Sequence, residues 1–213
     1  MRRNLVLLLM LSVMLPSFAQ KGKKAAREVL DKVSETISGN NYEVLFSVIN
    51  YVEEHVQGVA NGKLLLNENK FTCETEDMKT WYDGKTQWSL IYDSEEVNIT
   101  EPTDDELLEI NPYALLKVYK KGYSYNLVTE KTIENNPFVE IELKANSKEK
   151  DLQKLTLWIN TKTYEPHTID IVRSNGDLMH INIDDVKLVK KVDKLVYTFN
   201  PKEYPNVDVI DLR

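Results

Sequence analysis

The side chains with reactive groups are few and scattered along the chain. Its only imidazoles belong to His55, His167 and His180, and its only thiol belongs to Cys73. These histidines lie on separate strand-like segments without the short spacing of metal ligands, so a metal site would require all three to meet on folding. Cys73 beside a histidine would make a nucleophile pair, but the sequence identifies no third group to orient it. We therefore predict no metal site and no cofactor.

The acidic residues are numerous, but they occur as runs of neighbours. Asp104, Asp105 and Glu106 form one run, and Asp184 and Asp185 form another. We interpret the first as a helix N-terminus, where carboxylates are favourable, and the second as a polar strand end. Paired carboxylates for acid–base catalysis are the weaker interpretation. Because the chain also lacks a phosphate loop, a nucleophile elbow and a His-Glu-x-x-His motif, we predict that it is not an enzyme.

The composition is that of one ordinary globular domain. The 213 residues include 27 Lys and Arg against 34 Asp and Glu, and 42% are hydrophobic, which is enough to build a core. The net charge of −7 argues against a nucleic-acid partner and against docking onto an anionic membrane surface. A hydrophobic partner stays compatible with this composition.

The N-terminus has the three parts of a secretory signal peptide. Two arginines precede an apolar run from Leu5 to Leu15, and a proline breaks that run shortly before the small residue Ala19. We predict cleavage after Ala19, which gives a signal peptide over residues 1–19 and a single domain over residues 20–213. An uncleaved anchor is the weaker alternative, because a membrane span needs about 20 apolar residues. No cysteine beside the cleavage site offers a lipid attachment point.

Most of the remaining chain has the patterns of antiparallel strands. The dipeptides Asn61-Gly62, Asp83-Gly84 and Asn175-Gly176 are each typical of a two-residue hairpin turn. Apolar residues alternate on either side of them, which predicts about nine to eleven strands. Aromatic side chains share these alternating positions, as in a packed core or in a ligand cavity.

Three helices interrupt or precede these strands. Apolar residues at helical spacing predict an amphipathic helix from Ala25 to Ile37 that ends at Gly39. Two short helices follow between Thr103 and Gly122, the first capped by Thr103 or Asp104 and the second beginning at Asn111-Pro112. Three helices are too few to fill a wide barrel. We predict a mainly β (α+β) fold, an incomplete antiparallel half-barrel whose short helices cover a hydrophobic cavity.

Several segments resemble the periplasmic outer-membrane lipoprotein carrier family, LolA. The residues Asp83-Gly84-Lys85-Thr86-Gln87-Trp88, followed by Ile91-Tyr92-Asp93, are similar to a segment of that family. Further similar pieces occur in the family's order over almost the whole mature chain: Phe46-Ser47, Gly62 to Leu66, Phe71, Val97 to Thr100, Asn111 to Leu116 and Asn206 to Asp211.

The resemblance implies a half-barrel in which helices form a lid over a cavity for the acyl chains of lipoproteins. An inner-membrane transporter would load this carrier, and an outer-membrane acceptor would unload it. The predicted cavity residues are Phe46, Val48, Leu64, Leu66, Phe71, Trp88, Leu90, Tyr123, Tyr125, Ile141, Leu157 and Ile181. The predicted lid residues are Leu115, Leu116 and Tyr119.

One departure from the family concerns the attachment of the lid. Enteric members have an Arg-Pro after the second strand, whereas this chain has Asn67-Glu68-Asn69-Lys70 there. An ammonium group lacks the planar fork of a guanidinium, so the sequence leaves the role of Lys70 open. Two other functions also stay open: a sensor that binds lipid without delivering it, and, less favoured, a periplasmic hydrolase. We expect a monomer in the periplasm.

Overall fold

The computed structural model describes residues 16–103, 106–108, 111, 113–120 and 122–213. Most of the predicted signal peptide therefore lies outside the described residues, as do Asp104, Asp105 and Pro112, on which parts of the helix predictions depend. No helix within the described residues is both long and apolar enough to cross a membrane.

The described residues form one open sheet of twelve strands. The strands are β1 (Asn41–Val52), β2 (His55–Asn67), β3 (Lys70–Thr75), β4 (Met78–Tyr82), β5 (Gln87–Ile91), β6 (Glu96–Thr100), β7 (Tyr123–Ile133), β8 (Asn136–Ala145), β9 (Leu152–Asn160), β10 (Pro166–Arg173), β11 (Leu178–Val189) and β12 (Asp208–Asp211). Their order is β12-β6-β5-β4-β3-β2-β1-β11-β10-β9-β8-β7, so β12 and β7 are edges and the barrel is incomplete, as predicted. All neighbouring strands are antiparallel except β12, which lies parallel to β6. The total of twelve strands is one more than the upper end of the predicted range.

Two of the three predicted hairpins turn at the predicted dipeptides, although four residues, not two, separate the strands in each. Gly84 and Gly176 have φ of +101° and +93° and join β4 to β5 and β10 to β11. The third prediction is wrong, because Gly62 lies inside β2 opposite Phe46. A Cβ atom at Gly62 would lie 2.2 Å from Cζ of Phe46, so the glycine makes room for that ring within the sheet. The turn between β1 and β2 falls instead at Glu53 and Glu54.

Bulges bend the long strands of the sheet. Leu45 pairs with Asp185 while Phe46 pairs with Ile183, so Asp184 is an extra residue inside β11. The interpretation of this acidic pair as a strand end is therefore wrong. A bulge adds local bend and twist, which favours a curved sheet over a flat one.

The long helix α1 (Pro16–Ile37) packs on one face of the sheet, which we call the inner face. Its stripe Ala26, Leu30, Val33 and Ile37 is at most 4% exposed, as the spacing predicts. Gly39, with φ of +77°, follows the end of the helix. The helix begins earlier than the predicted Ala25.

A shorter helical segment continues the cover over the inner face. We call it the lid and define it as residues 106–108, 111 and 113–120, of which Leu115–Lys120 form a 3-10 helix, η1. At its start, Thr103 and Glu106 form a capping box: Glu106 Oε2 accepts from the backbone N and the Oγ1 of Thr103 at 2.7 and 2.8 Å. This confirms the predicted cap.

The C-terminal segment crosses the outer face of the sheet. It contains two 3-10 helices, η2 (Lys194–Tyr197) and η3 (Pro201–Glu203), before β12. Phe199 and Tyr204 pack edge-on against Trp81, with ring centroids 5.5 Å apart in each pair. The C-terminal segment therefore covers the outer face of strands β3 to β6.

Candidate functional site

The inner face and its helices enclose one continuous apolar cluster. Ten of the twelve predicted cavity residues belong to it or pack against it: Phe46, Val48, Leu64, Leu66, Phe71, Tyr123, Tyr125, Ile141, Leu157 and Ile181. The predicted lid residues Leu115, Leu116 and Tyr119 are at most 6% exposed and belong to the same cluster. The structure thus brings these thirteen side chains together, while their role in binding a ligand stays a prediction.

The structure places Trp88 and Leu90 elsewhere. Cross-strand pairing sets Trp88 beside Trp81 and sets Gln87 beside Tyr82, which belongs to the inner cluster. Trp88 and Leu90 therefore point to the outer face, where they pack with Trp81 under the C-terminal segment. Alternation shows which residues share a face, but it does not show which face is the inner one.

The inner face becomes polar where Trp88 and Leu90 were expected. Thr80, Gln87 and Ser89 are buried there, with Gln87 Nε2 donating to Ser89 Oγ at 3.0 Å. Gln87 Oε1 is buried and has no hydrogen-bond partner among the described residues. Sequence reasoning missed this polar cluster because it took the apolar positions of β5 to be the inward ones.

Three separate polar contacts hold the lid in place. Tyr119 donates its hydroxyl to Asp31 Oδ1 of α1 at 2.6 Å, and Lys120 Nζ donates to Ser34 Oγ of α1 at 3.2 Å. Lys117 Nζ donates to the backbone oxygen of Glu68, in the turn between β2 and β3, at 3.2 Å. Thus a cation on the lid reaches the turn that precedes Lys70.

The lid also buries a polar group at a cost. Tyr113 is 4% exposed, and its hydroxyl has no hydrogen-bond partner within the described part of the chain. Burial raises the pKa of this hydroxyl far above its ordinary value. An unsatisfied buried hydroxyl costs about 1–3 kcal/mol, which hydration would recover if the lid lifted.

A cleft of about 500 Å³ opens between the lid and one end of the inner face. Its apolar floor includes Ile37, Phe71, Tyr82 and Tyr123, and Leu107 and Leu108 line it from the lid. A second cleft, of about 690 Å³, separates α1 from β7 and β8, but its lining is mixed and includes charged residues such as Glu28, Asp31, Lys32, Glu130 and Lys131. The first cleft reaches two of the twelve predicted cavity residues, Phe71 and Tyr123, whereas the other inner-face residues of that set lie in the packed cluster, and its volume is that of a typical ligand site.

The reactive side chains do not converge. Cys73 is buried on the inner face, and burial raises the pKa of its thiol to about 12, which disfavours the nucleophilic thiolate. His180 is paired with Asp170 and Asn182 on the outer face, His167 packs on Phe138, and His55 is exposed at a hairpin. No group of three or more His, Cys, Asp or Glu suited to a metal ion occurs among the described residues.

We expect Tyr119→Phe to loosen the lid. The change removes the hydrogen bond to the half-exposed Asp31, so the free energy of unfolding should fall by about 1 kcal/mol and amide exchange in residues 113–120 should accelerate. Tyr125→Phe is the matched control, since its ring forms the other half of an edge-to-face pair with Tyr119. Equal amide exchange rates in residues 113–120 of the two variants would show that the hydrogen bond between Tyr119 and Asp31 does not hold the lid.

The same pair predicts an alkaline pH dependence. Burial and the neighbouring Asp31 raise the pKa of Tyr119, so its folded pKa lies above its unfolded one. The stabilisation is therefore fully present below about pH 10 and is lost as the pH rises further, because only the unfolded state ionises readily. Denaturation curves of the wild type and Tyr119→Phe should converge above that pH. If the difference in free energy of unfolding between the two proteins stayed constant with pH, the stabilisation would not depend on a protonated Tyr119 hydroxyl.

Comparison with solved structures finds similar folds in other proteins at low identity. An uncharacterised conserved protein from Thermus thermophilus is 13% identical, with a TM-score of 0.60 over 88% of this chain and 99% of that one. A DUF1329 family protein from Desulfovibrio piger ATCC 29098 is 8% identical, with a TM-score of 0.51 over 83% and 97%. A LolA superfamily protein from Nitrosomonas europaea is 13% identical, with a TM-score of 0.45 over 82% and 97%.

Comparison with curated protein sequences gives no match. The family model described as "Outer membrane lipoprotein carrier protein LolA" matches residues 15–175, which is about three quarters of the chain. The match runs from α1 through β10 and so includes most of the inner face and the whole lid. On this evidence the chain belongs to the LolA family of outer membrane lipoprotein carrier proteins.

Proposed function

We propose that the protein is a carrier that holds the acyl chains of lipoproteins, or another hydrophobic cargo, between the inner face and the lid. It would receive this cargo from an inner-membrane transporter and release it to an outer-membrane acceptor. The predicted signal peptide supports a site of action in the periplasm, where the protein would work as a monomer. The family match supports lipid or lipoprotein binding in general.

The observation that carries the proposal is the way the apolar inner face is covered. Leu115 and Leu116 are fully buried against it, but they belong to a short 3-10 helix and not to a further strand. The lid is attached to α1 and to the β2–β3 turn by isolated side-chain hydrogen bonds. Contacts of this kind are worth about 0.5–1.5 kcal/mol each, so the buried side chains of Leu115, Leu116 and Val118 supply most of the free energy that holds the lid. A cargo that covers the same apolar surface can replace those contacts without unfolding the sheet.

Burial energies make such an exchange favourable. Each methylene group removed from water gains about 0.8 kcal/mol, so an acyl chain of ten or more methylenes gains on the order of 8 kcal/mol, which is comparable to the burial of the few apolar lid side chains that it would displace. Displaced lid side chains would be replaced on the inner face by the chains of the cargo. Release to an acceptor requires that the net free energy of exchanging lid side chains for acyl chains stays small, because a cavity that fits its cargo too well would retain it.

The proposal can be tested by native mass spectrometry of the mature protein with a triacylated lipopeptide. We expect a stoichiometric adduct, and we expect the loaded protein to pass the lipopeptide to acceptor vesicles. Leu108→Glu places a carboxylate in the cleft and should weaken the adduct at least tenfold, whereas Leu195→Glu, at a side chain that is 72% exposed, should not. Absence of any adduct would refute carriage, and an adduct without transfer would favour a binding or sensing role.

A further inference from the structure

The mouth of the lid cleft carries a concentration of positive charge. Among the described residues that line it, Lys117, Lys120 and Lys150 supply three ammonium groups, and Glu68 supplies the only carboxylate. The protein as a whole has the opposite sign, with a net charge of −7. The apolar floor described above lies directly beside these cations. The described lining of the cleft therefore combines an apolar floor with a rim of three lysines, which we call the lysine rim.

None of these three lysines forms a salt bridge with a described residue, although the Glu68 carboxylate is close enough to Lys117 to favour its charged form. Lys117 and Lys120 donate to the uncharged oxygens of Glu68 and Ser34, at 3.2 Å each. Lys150 lies over the ring of Tyr123, with Nζ 5.3 Å from the centroid. By contrast, many lysines elsewhere on the surface are paired with carboxylates, as Lys63 is with Glu43 at 2.8 Å.

The rim is also electrostatically unfavourable as it stands. Burial, together with the positive charge of Lys120, lowers the pKa of Lys117 below its ordinary value, and this outweighs the opposite effect of the Glu68 carboxylate. A bound anion would offset both effects, because it would neutralise the repulsion between the lysines and solvate the partly buried ammonium. A neutral ligand would leave the repulsion in place.

We propose that the lid cleft selects an anionic amphiphile, with its acyl chain on the apolar floor and its phosphate or carboxylate headgroup against Lys117, Lys120 and Lys150. This rests on the proposed function and goes beyond it, because it names the chemical class of the cargo. Binding energy from the chain then gives affinity, and the lysine rim gives selectivity between headgroups.

The experiment compares two ligands that share one oleoyl chain, lysophosphatidic acid and monooleoylglycerol, each below its micelle concentration. We expect the phosphate-bearing ligand to bind about tenfold more tightly, which corresponds to three partly exposed charge contacts of about 0.5 kcal/mol each. The preference should shrink when the salt concentration rises from about 50 to about 500 mM. This salt series uses the wild-type protein and does not depend on any variant folding.

A pair of triple variants locates the effect. Lys117→Gln, Lys120→Gln and Lys150→Gln together should abolish the preference, whereas Lys190→Gln, Lys191→Gln and Lys202→Gln, three exposed positions with the same change in charge, should keep it. Equal affinity for the two ligands, or a preference unchanged in the first variant, would overturn the proposal and leave the carrier function standing. Tight binding of inorganic phosphate alone would overturn it in favour of a free-anion site. Failure of both lipids to bind, in a protein that still forms the lipopeptide adduct, would also overturn the proposal and leave the carrier function standing, whereas failure of the lipopeptide as well would refute the carrier function.

Discussion

Tethering the lid to α1 should abolish uptake of acylated cargo. Tyr119 and Asp31 meet through the tips of their side chains, so cysteines at the two positions would suit a short bis-maleimide linker better than a direct disulfide. With Asp31→Cys and Tyr119→Cys joined by a linker that contains a reducible disulfide, the lid cannot leave the inner face. We expect the lipopeptide adduct to vanish, a loss of at least a hundredfold, and to return when the linker is reduced. The measurement is native mass spectrometry before and after reduction.

The native thiol does not complicate this design. Cys73 is buried and its raised pKa keeps it protonated, so maleimide should react with the introduced cysteines first. Each single-cysteine variant treated with the same reagent serves as the control and should still bind cargo. If the tethered protein bound the lipopeptide as well as the reduced protein does, the chains would have to enter without movement of the lid, and the proposed role of the lid would be wrong.

Trp81→Ala should cause the largest loss of stability. Trp81 is 5% exposed and contacts the rings of both Phe199 and Tyr204, so its removal leaves a cavity between the sheet and the C-terminal segment. We expect the free energy of unfolding to fall by about 3–5 kcal/mol, as measured by chemical denaturation. Trp158→Ala is the matched control: that ring is only partly buried under Lys131 and should cost much less.

The same variant separates the two faces of the sheet. Because Trp81 lies on the outer face, the folded fraction of Trp81→Ala should bind lipopeptide with wild-type affinity at a temperature where it stays folded. Loss of binding by the folded variant would place the ligand on the outer face. The tryptophans are for this reason poor reporters of the cavity: strand register also places Trp88 and Trp158 on the outer face.

Local sequence patterns predicted the parts of the fold that depend on local physics. The stripe on α1, the turns at Asp83-Gly84 and Asn175-Gly176, and the cap formed by Thr103 and Glu106 each follow from the preferences of a few neighbouring residues. Most of the inner cluster was also predictable. Where only the inner face of a strand is covered, its apolar residues occupy every second position and its polar residues point to solvent. The open sheet was predicted because the sequence offers too few helices to fill a closed barrel.

Features that depend on distant residues could not be predicted in this way. Trp88 and Leu90 face outward because residues about a hundred positions later cover the outer face, a contact that alternation does not encode. Asn61-Gly62 has the sequence signature of a turn, but Gly62 lies opposite Phe46 in the strand pair and leaves space for its ring. The lid contacts of Tyr119 with Asp31 and of Lys117 with Glu68 likewise join residues far apart in the chain.

The measurement that tests the central claim most directly is photolabelling with a lipopeptide that carries a diazirine near the end of one acyl chain. After irradiation and proteolysis, we expect labels on the inner face and the lid, in the peptides that contain Leu64, Leu66, Phe71 and Leu115. Labels confined to the outer-face cluster around Trp81, Trp88 and Phe199 would contradict binding between the inner face and the lid.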